Sequence, residues 1–221
     1  MPTSTVEDYV KAIYLLQQDS PNGEATVVRL AATLGVTKGS VTAMVRKLRD
    51  AGLASAQRYG GIKLTAKGRP LAVDMIRRHR LIEVFLVETL GLDWAEVHDE
   101  AHTLEHAISG KVLDRLDAFL GRPSTDPHGD PIPDANGKLE HADQTPLADL
   151  DAGDKGVVAR IADQNPAFLE FAASHGLRPG TRISVVGVVP EAESISVKAA
   201  RKEPVSMSFA AARKIRVEAD T

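Results

Sequence analysis

The chain has no cysteine, so a disulfide framework and any thiolate-ligated metal are excluded. No apolar run approaches the roughly 20 residues that span a bilayer. The N-terminus lacks the apolar core of a signal peptide. Internal repeats and low-complexity tracts are missing as well, and the composition shows no sign of disorder. These absences lead to a cytoplasmic globular protein with no membrane partner. Its 221 residues suit one large domain or two to three small ones.

Acidic residues are nearly missing from one segment. Between residues 25 and 80 there are twelve Lys and Arg but two acids, Asp50 and Asp74. That surplus of ten positive charges sits inside a chain of net charge −3. A basic block in an otherwise acidic protein implies a polyanion partner for one face.

Periodicity then divides the chain. Thr5 followed by Asp8 reads as a helix start, with Val6, Val10, Ile13 and Leu16 at helical spacing. The run Asp19-Ser20-Pro21-Asn22-Gly23 ends that helix. A short helix carrying Leu30 stops at Gly35, and Thr37 caps the next one, whose buried face is Val41, Met44, Val45 and Leu48. Residues 53–65 read as a small hairpin turning at Tyr59-Gly60-Gly61. Residues 70–90 form a long amphipathic helix, and another runs over about 94–120 with a break near Ser109-Gly110. The Pro, Asp, Gly and Asn content of 121–146 marks a linker or an ordered loop. Short strand signals follow around Gly-rich turns, with a helical turn at 167–173, as in a small barrel of the SH3 type.

The expected fold is therefore a mainly α N-terminal part, winged helix-turn-helix plus helical segment, followed by a small SH3-like β-barrel. The expected boundaries are 1–70, 71–123, a linker at 124–145, and 146–221. Two short helices and a hairpin place a recognition helix whose leading end is small and polar, as major-groove entry requires. Thr37, Lys38, Gly39, Ser40, Thr42 and Ala43 supply that end. Arg46, Lys47 and Arg49 lie farther along, within reach of phosphates, and Arg58 sits at the hairpin tip like a wing residue.

Residues 97–109, VHDEAHTLEHAIS, hold three of the seven histidines. On a helical wheel His98, His102, Glu105 and His106 share one stripe bordering the apolar positions Val97, Ala101, Leu104 and Ile108. Asp99 and Glu100 point to water. His79 and Glu83, four apart, form a second pair one turn apart on the preceding helix. Imidazoles and carboxylates converging at a half-buried border suit a divalent transition metal. The alternative is an enzyme. His102-Thr103-Leu104-Glu105-His106 fits the H-x-x-E-H pattern of inverted zinc peptidases, with Glu105 as base. That reading leaves His98, His79, Glu83 and the basic block without a role.

The order of parts, the V-H-D-E-A-x-x-x-E-H stretch, the loop Pro127-His128-Gly129-Asp130-Pro131-Ile132-Pro133 and the segment 176–181 together resemble the diphtheria-toxin-repressor family of metal-dependent transcriptional regulators. The likeness covers nearly the whole chain and includes an FeoA-type SH3-like terminal domain. It implies two metal sites per subunit and a non-enzymatic role with no small organic substrate. Carried over by position, the primary site uses Asp8, His102, Glu105 and His106. The ancillary site uses His79, Glu83 and His98, joined by Asp163 or Gln164. Asp8 stands where iron-type members have Met, and the harder ligand favours Mn2+ more than a Met/Cys site does, whereas the imidazole of His102 also suits Fe2+ and Zn2+. Lys11 replaces a Glu of the short manganese branch and argues against a paired-metal arrangement. The implied protein is a homodimer on palindromic operator DNA that represses metal-uptake genes when Mn2+ or Fe2+ is bound.

Overall fold

The computed structural model describes residues 3–56, 61–139, 143–200 and 202–220. They divide into two compact units, Met1–His79 with Leu104–Gly110 and Pro133–Lys138, and Arg80–Thr103 with Lys111–Ile132 and Leu139–Thr221.

The first unit begins with α1 (Ser4–Gln18), which buries Tyr9, Val10, Ala12, Ile13, Tyr14 and Leu16. Those positions recur at the three-to-four spacing that lines one helix face. Helix α2 (Val27–Leu34) is capped by Thr26, whose hydroxyl accepts the Arg29 N–H, and stops at Gly35, φ 64°. Helix α3 (Lys38–Asp50) starts at Thr37, whose Oγ1 accepts the Ser40 N–H at 3.1 Å. It buries Val41, Val45 and Leu48 and turns its polar residues outward. Strands β1 (Ala54–Ala56) and β2 (Ile62–Leu64) pair antiparallel with Ala54 opposite Leu64. The result is the expected winged helix-turn-helix. The wing tip, including Arg58, lies outside the described residues. Helix α4 (Gly68–Glu88) follows at once. A Cβ on Gly68 would stand 2.0 Å from the Leu53 carbonyl oxygen, so glycine is required where α4 starts against the end of the recognition helix.

The second unit takes the rest of α4, α5 (Val97–Glu105) as far as Thr103, and nearly all of α6 (Gly110–Phe119). Beyond them lie β3 (Thr145–Pro146), β4 (Lys155–Ile161), α7 (Pro166–Ser174), β5 (Arg182–Val189), β6 (Ser194–Ala199), β7 (Val205–Ser208), α8 (Phe209–Ala212) and β8 (Ile215–Ala219). The strands form one antiparallel sheet in the order β3-β8-β4-β5-β6-β7. Val158, Ile161, Leu169, Ile195, Val197, Ile215 and Val217 are its buried centre, and Trp94 belongs to the same cluster.

The strand signals expected after residue 146 fall in this sheet. The sequence reading is coarsened in two respects. Among the described residues no ladder joins β7 back to β3, so the terminal domain is a six-stranded sheet rather than a closed barrel. Helices dominate only before residue 120, and the whole chain is mixed rather than mainly helical. Among the described residues no helix is long and apolar enough to cross a membrane.

The stretch 124–132 is an ordered loop. Thr125 bridges Pro131, the Asp126 N–H donates to the Asp130 carbonyl at 3.0 Å, and the Ile161 N–H donates to the His128 carbonyl at 2.8 Å. At Gly129, φ 87°, a Cβ would meet the Ala159 carbonyl oxygen at 2.0 Å. Only glycine permits that approach, and it fixes His128 beside β4.

Candidate metal centre

Helix α1 brings Glu7, Asp8 and Lys11 to one side, being three and four residues apart. They meet Glu105, the last residue of α5, and His106 just after it. Asp8 Oδ1 lies 3.0 Å from His106 Nε2, and Glu7 Oε2 lies 2.8 Å from His106 Nδ1. His106 Nε2 is 3.7 Å from Glu105 Oε1. One ligand atom from each of Asp8, Glu105 and His106 falls within a sphere where all are within 4.8 Å of one another. Atoms about 2.1 Å from a shared cation stand roughly 3.0–4.2 Å apart in octahedral geometry, so this trio fits a divalent ion.

The Glu105 side chain is fully buried. Its Oε2 receives Lys11 Nζ at 2.8 Å and faces His79 Nδ1 at 2.6 Å, and its Oε1 lies 3.1 Å from Lys11 Nζ. Burial pushes this carboxyl up. The hydrogen bond from His79 and the charges of Lys11 and His79 outweigh burial and hold it down at about 2. A carboxylate so far below neutrality is a poor proton acceptor. The base role that the peptidase alternative needs from Glu105 therefore lacks support.

A second cluster sits wholly within the other unit. Glu83 of α4, Asp126 and His128 have side chains with no exposed surface. One ligand atom from each lies within 4.8 Å of the others. His128 Nε2 donates to the Trp94 carbonyl oxygen at 2.8 Å, and the ring stacks on the Trp94 indole with centroids 5.3 Å apart. That hydrogen bond assigns the Nε2–H tautomer, leaving the Nδ1 lone pair aimed at two carboxylates. Nδ1 stands 3.8 Å from Glu83 Oε2 and 4.0 Å from Asp126 Oδ1, without a hydrogen-bond partner.

A lone pair facing carboxylates is unfavourable unless a proton or a cation lies between them. Burial disfavours protonated His128, but the nearby carboxylates of Glu83 and Asp126 raise its pKa to about 9. At 3.8 Å the His128–Glu83 contact is too long for a formed hydrogen bond, so charge attraction carries that rise. Burial, then the charges of Asp130 and Glu83, push Asp126 above the usual carboxylate range. His98 Nδ1 approaches Glu83 Oε1 at 3.3 Å from the exposed side. The backbone N–H groups of His128 and Asp130 fix Asp126 Oδ1, and Arg80 pairs with Asp130, which also takes Arg160 Nε at 2.8 Å.

His79, expected beside Glu83 and His98, faces Glu105 Oε2 through its Nδ1 at 2.6 Å. Asp163 is engaged by Lys214 Nζ at 2.5 Å and by the Asn165 N–H at 2.9 Å. Burial raises its pKa, but those two partners win and lower it. His102 is exposed on α5, and Asp99 and Glu100 face water as expected. Asp126 and His128 were missed as ligands. Their signal is an Asp-x-His-x-Asp spacing inside a proline-bounded loop.

On the recognition helix, Thr37, Lys38, Gly39, Ser40, Thr42, Ala43, Arg46, Lys47 and Arg49 are all exposed. The two ends divide as expected, small polar groups leading and cations following.

Three family models cover nearly the whole chain. The iron-dependent repressor N-terminal DNA-binding domain matches residues 1–62. The iron-dependent repressor metal-binding and dimerisation domain matches 65–134, and the FeoA domain matches 145–219. The chain belongs to the iron-dependent repressor family, the diphtheria-toxin-repressor family of the sequence reading. Members are metal-dependent, DNA-binding transcriptional regulators that dimerise, and they are not enzymes.

The Iron-dependent repressor IdeR of Mycobacterium tuberculosis is 38% identical over 129 residues, 58% of this chain and 55% of that protein. The chain thus matches little more than half the length of IdeR. The HTH-type transcriptional regulator MntR of Lysinibacillus sphaericus is 37% identical over 116 residues, 52% of this chain and 81% of that one. Among solved structures, a manganese-dependent transcriptional repressor in complex with manganese superposes with a TM-score of 0.90. It is 40% identical, with 97% of this chain and 99% of that chain covered.

Proposed function

We propose that this repressor senses Mn2+, with Fe2+ as the alternative ion, through two centres in each subunit. Asp8, His102, Glu105 and His106 form the first, with His102 one turn before His106 on α5. Glu83, Asp126 and His128 form the second, with His98 at its exposed edge. Asp163 would have to leave Lys214 to join them, and His79 could serve the second centre only through Nε2. Hard carboxylates equal in number to the imidazoles, with no sulfur ligand, favour Mn2+ over softer ions.

The observation that carries this reading is the 3.0 Å contact between Asp8 and His106. Asp8 lies on the first helix of the DNA reader, and His106 lies at the end of the helix that holds the other ligands. A bound divalent ion supplies the positive charge that lets Asp8 and Glu105 converge without repulsion. Asp8 and His106 then hold α1, and with it α3, in one orientation. Val112 and Phe119, seven residues apart on α6, are exposed apolar side chains suited to a homodimer face. A twofold pair of recognition helices reads half-sites ~34 Å apart, hence a palindromic operator. Repression of metal-uptake genes in the cytoplasm is the regulatory outcome of this reading, with the domain boundaries 1–70, 71–123 and 146–221 and an SH3-like terminal domain.

Selection of bound duplexes from a random-sequence DNA pool, with Mn2+ and with a chelator, tests it. A palindromic sequence enriched only with metal is the expected result. Equal enrichment under chelation would remove the metal switch.

A further inference from the structure

We propose that Lys11 is a tethered counter-cation for Glu105 and competes with the divalent ion for that carboxylate, so that it sets the metal concentration at which the repressor responds. The inference rests on assigning Glu105 to the first metal centre.

The geometry is specific. Lys11 reaches both oxygens of Glu105, at 2.8 and 3.1 Å, across 94 residues of sequence. Its own side chain is 12% exposed, while that of Glu105 is fully buried. A surface lysine gains little from such a pair because water screens it, whereas here the partner has no water of its own. Lys11 and Asp8 are three residues apart on α1 and so share a face. Lys11 therefore approaches Glu105 from the helix that delivers Asp8 to His106.

In the metal-free protein this ammonium supplies the positive charge that Glu105 requires. A divalent ion held by Asp8, Glu105 and His106 must accept the carboxylate from Lys11 or share it, with a fixed positive charge a few ångströms away. Lys11 thus weakens metal binding while steadying the metal-free protein. The other groups facing Glu105 do not duplicate this effect. His79 Nδ1 faces Oε2 as a neighbouring ring nitrogen rather than a mobile ammonium, and His106 is itself a ligand. Glu7, the neighbouring acid on α1, is engaged with His106 Nδ1.

The test uses the full chain as wild type, Lys11→Met, Lys11→Gln, Lys11→Arg and His106→Ala. Bound Mn2+ is counted from the electron paramagnetic resonance signal of the free ion. Melting is followed with chelator and with Mn2+. The class of sites lost in His106→Ala defines the first centre. If His106→Ala loses no class, the metal-site assignment itself fails, whatever Lys11 does.

With that class defined, Lys11→Met and Lys11→Gln should bind Mn2+ at least about tenfold more tightly, as removal of a nearby like charge implies. Lys11→Arg should stay near wild type. Lys11→Met should also lower Tm in chelator and leave the Mn2+-loaded Tm nearly unchanged. Unchanged or weaker Mn2+ binding in both neutral variants overturns the proposal, because Lys11 would then organise Glu105 rather than compete for it. An equal fall in Tm with and without Mn2+ also overturns it, leaving Lys11 as a structural brace. If Lys11→Met fails to fold, the polar Lys11→Gln decides the question.

Discussion

His106 Nε2 stands 3.0 Å from Asp8 Oδ1, which joins the first helix of the DNA reader to the end of the histidine-bearing helix. The two residues are 98 positions apart in sequence, and neither is deeply buried. A contact that links two segments through polar groups alone holds when a cation completes it and loosens when the cation leaves. The functional account depends on that conditional link.

Asp8→Ala and His106→Ala are each expected to abolish Mn2+-stimulated DNA binding, read by fluorescence anisotropy of a labelled selected duplex. Far-ultraviolet circular dichroism should be unchanged, because both side chains are polar and neither belongs to the buried apolar core. A variant that still responds at wild-type Mn2+ concentrations contradicts the first centre.

The second centre carries its own optical reporter. Trp94 is the chain's sole tryptophan and stacks on His128. Paramagnetic Mn2+ bound by His128 should quench Trp94 emission. The quenching should persist in His106→Ala and disappear in His128→Gln or Asp126→Asn. Full quenching in His128→Gln would place the second ion elsewhere.

Acid stability follows from Glu105. Its pKa falls from about 4.5 to about 2 on folding, so the folded state favours the charged form. The stabilisation is present above about pH 4.5 and is lost as pH falls towards about 2. A shift of this size corresponds to about 3 kcal/mol at neutral pH, as an order of magnitude. In chelator, Tm should drop across that interval in wild type and vary much less in Glu105→Gln. Parallel curves for the two proteins would show that Glu105 does not govern acid unfolding.

Much of the fold was legible because apolar spacing and caps are local signals. The stop at Gly35 and Thr37 with Val41, Val45 and Leu48 mark two helices, and the later strands alternate apolar with polar residues, as in Ser194–Ala199 and Val205–Ser208. Glu105 and His106 were legible from their spacing with His98 and His102. The partner of each histidine was not. His79 is four residues from Glu83 on one helix, but its Nδ1 is taken by Glu105 from another element, and a helical wheel carries no information on such rotamer choices. His128 and Asp126 lie in an aperiodic loop more than forty residues after Glu83. They reach it only because Gly129 allows the loop to close on β4. Lys11 was legible as an anomaly of charge, while its hold on Glu105 required the folded chain.

DNA affinity has a separate test. Lys47 is exposed on α3 beyond the small polar leading end. Lys47→Ala should weaken binding to all duplexes alike and reduce the slope of log affinity against log salt by about 0.9, as the loss of one phosphate contact does. A loss confined to one sequence would instead assign Lys47 to base readout.

The central claim is that metal and operator DNA stabilise the same arrangement of α1 and α3, and thermodynamic reciprocity tests it most directly. The Mn2+ dissociation constant of the first centre should be measured with and without saturating operator duplex, and the duplex dissociation constant with and without saturating Mn2+. The two ratios must agree, and a factor of about 5–150 is the usual range for such coupling. An Mn2+ affinity that does not change when DNA is bound would contradict the account.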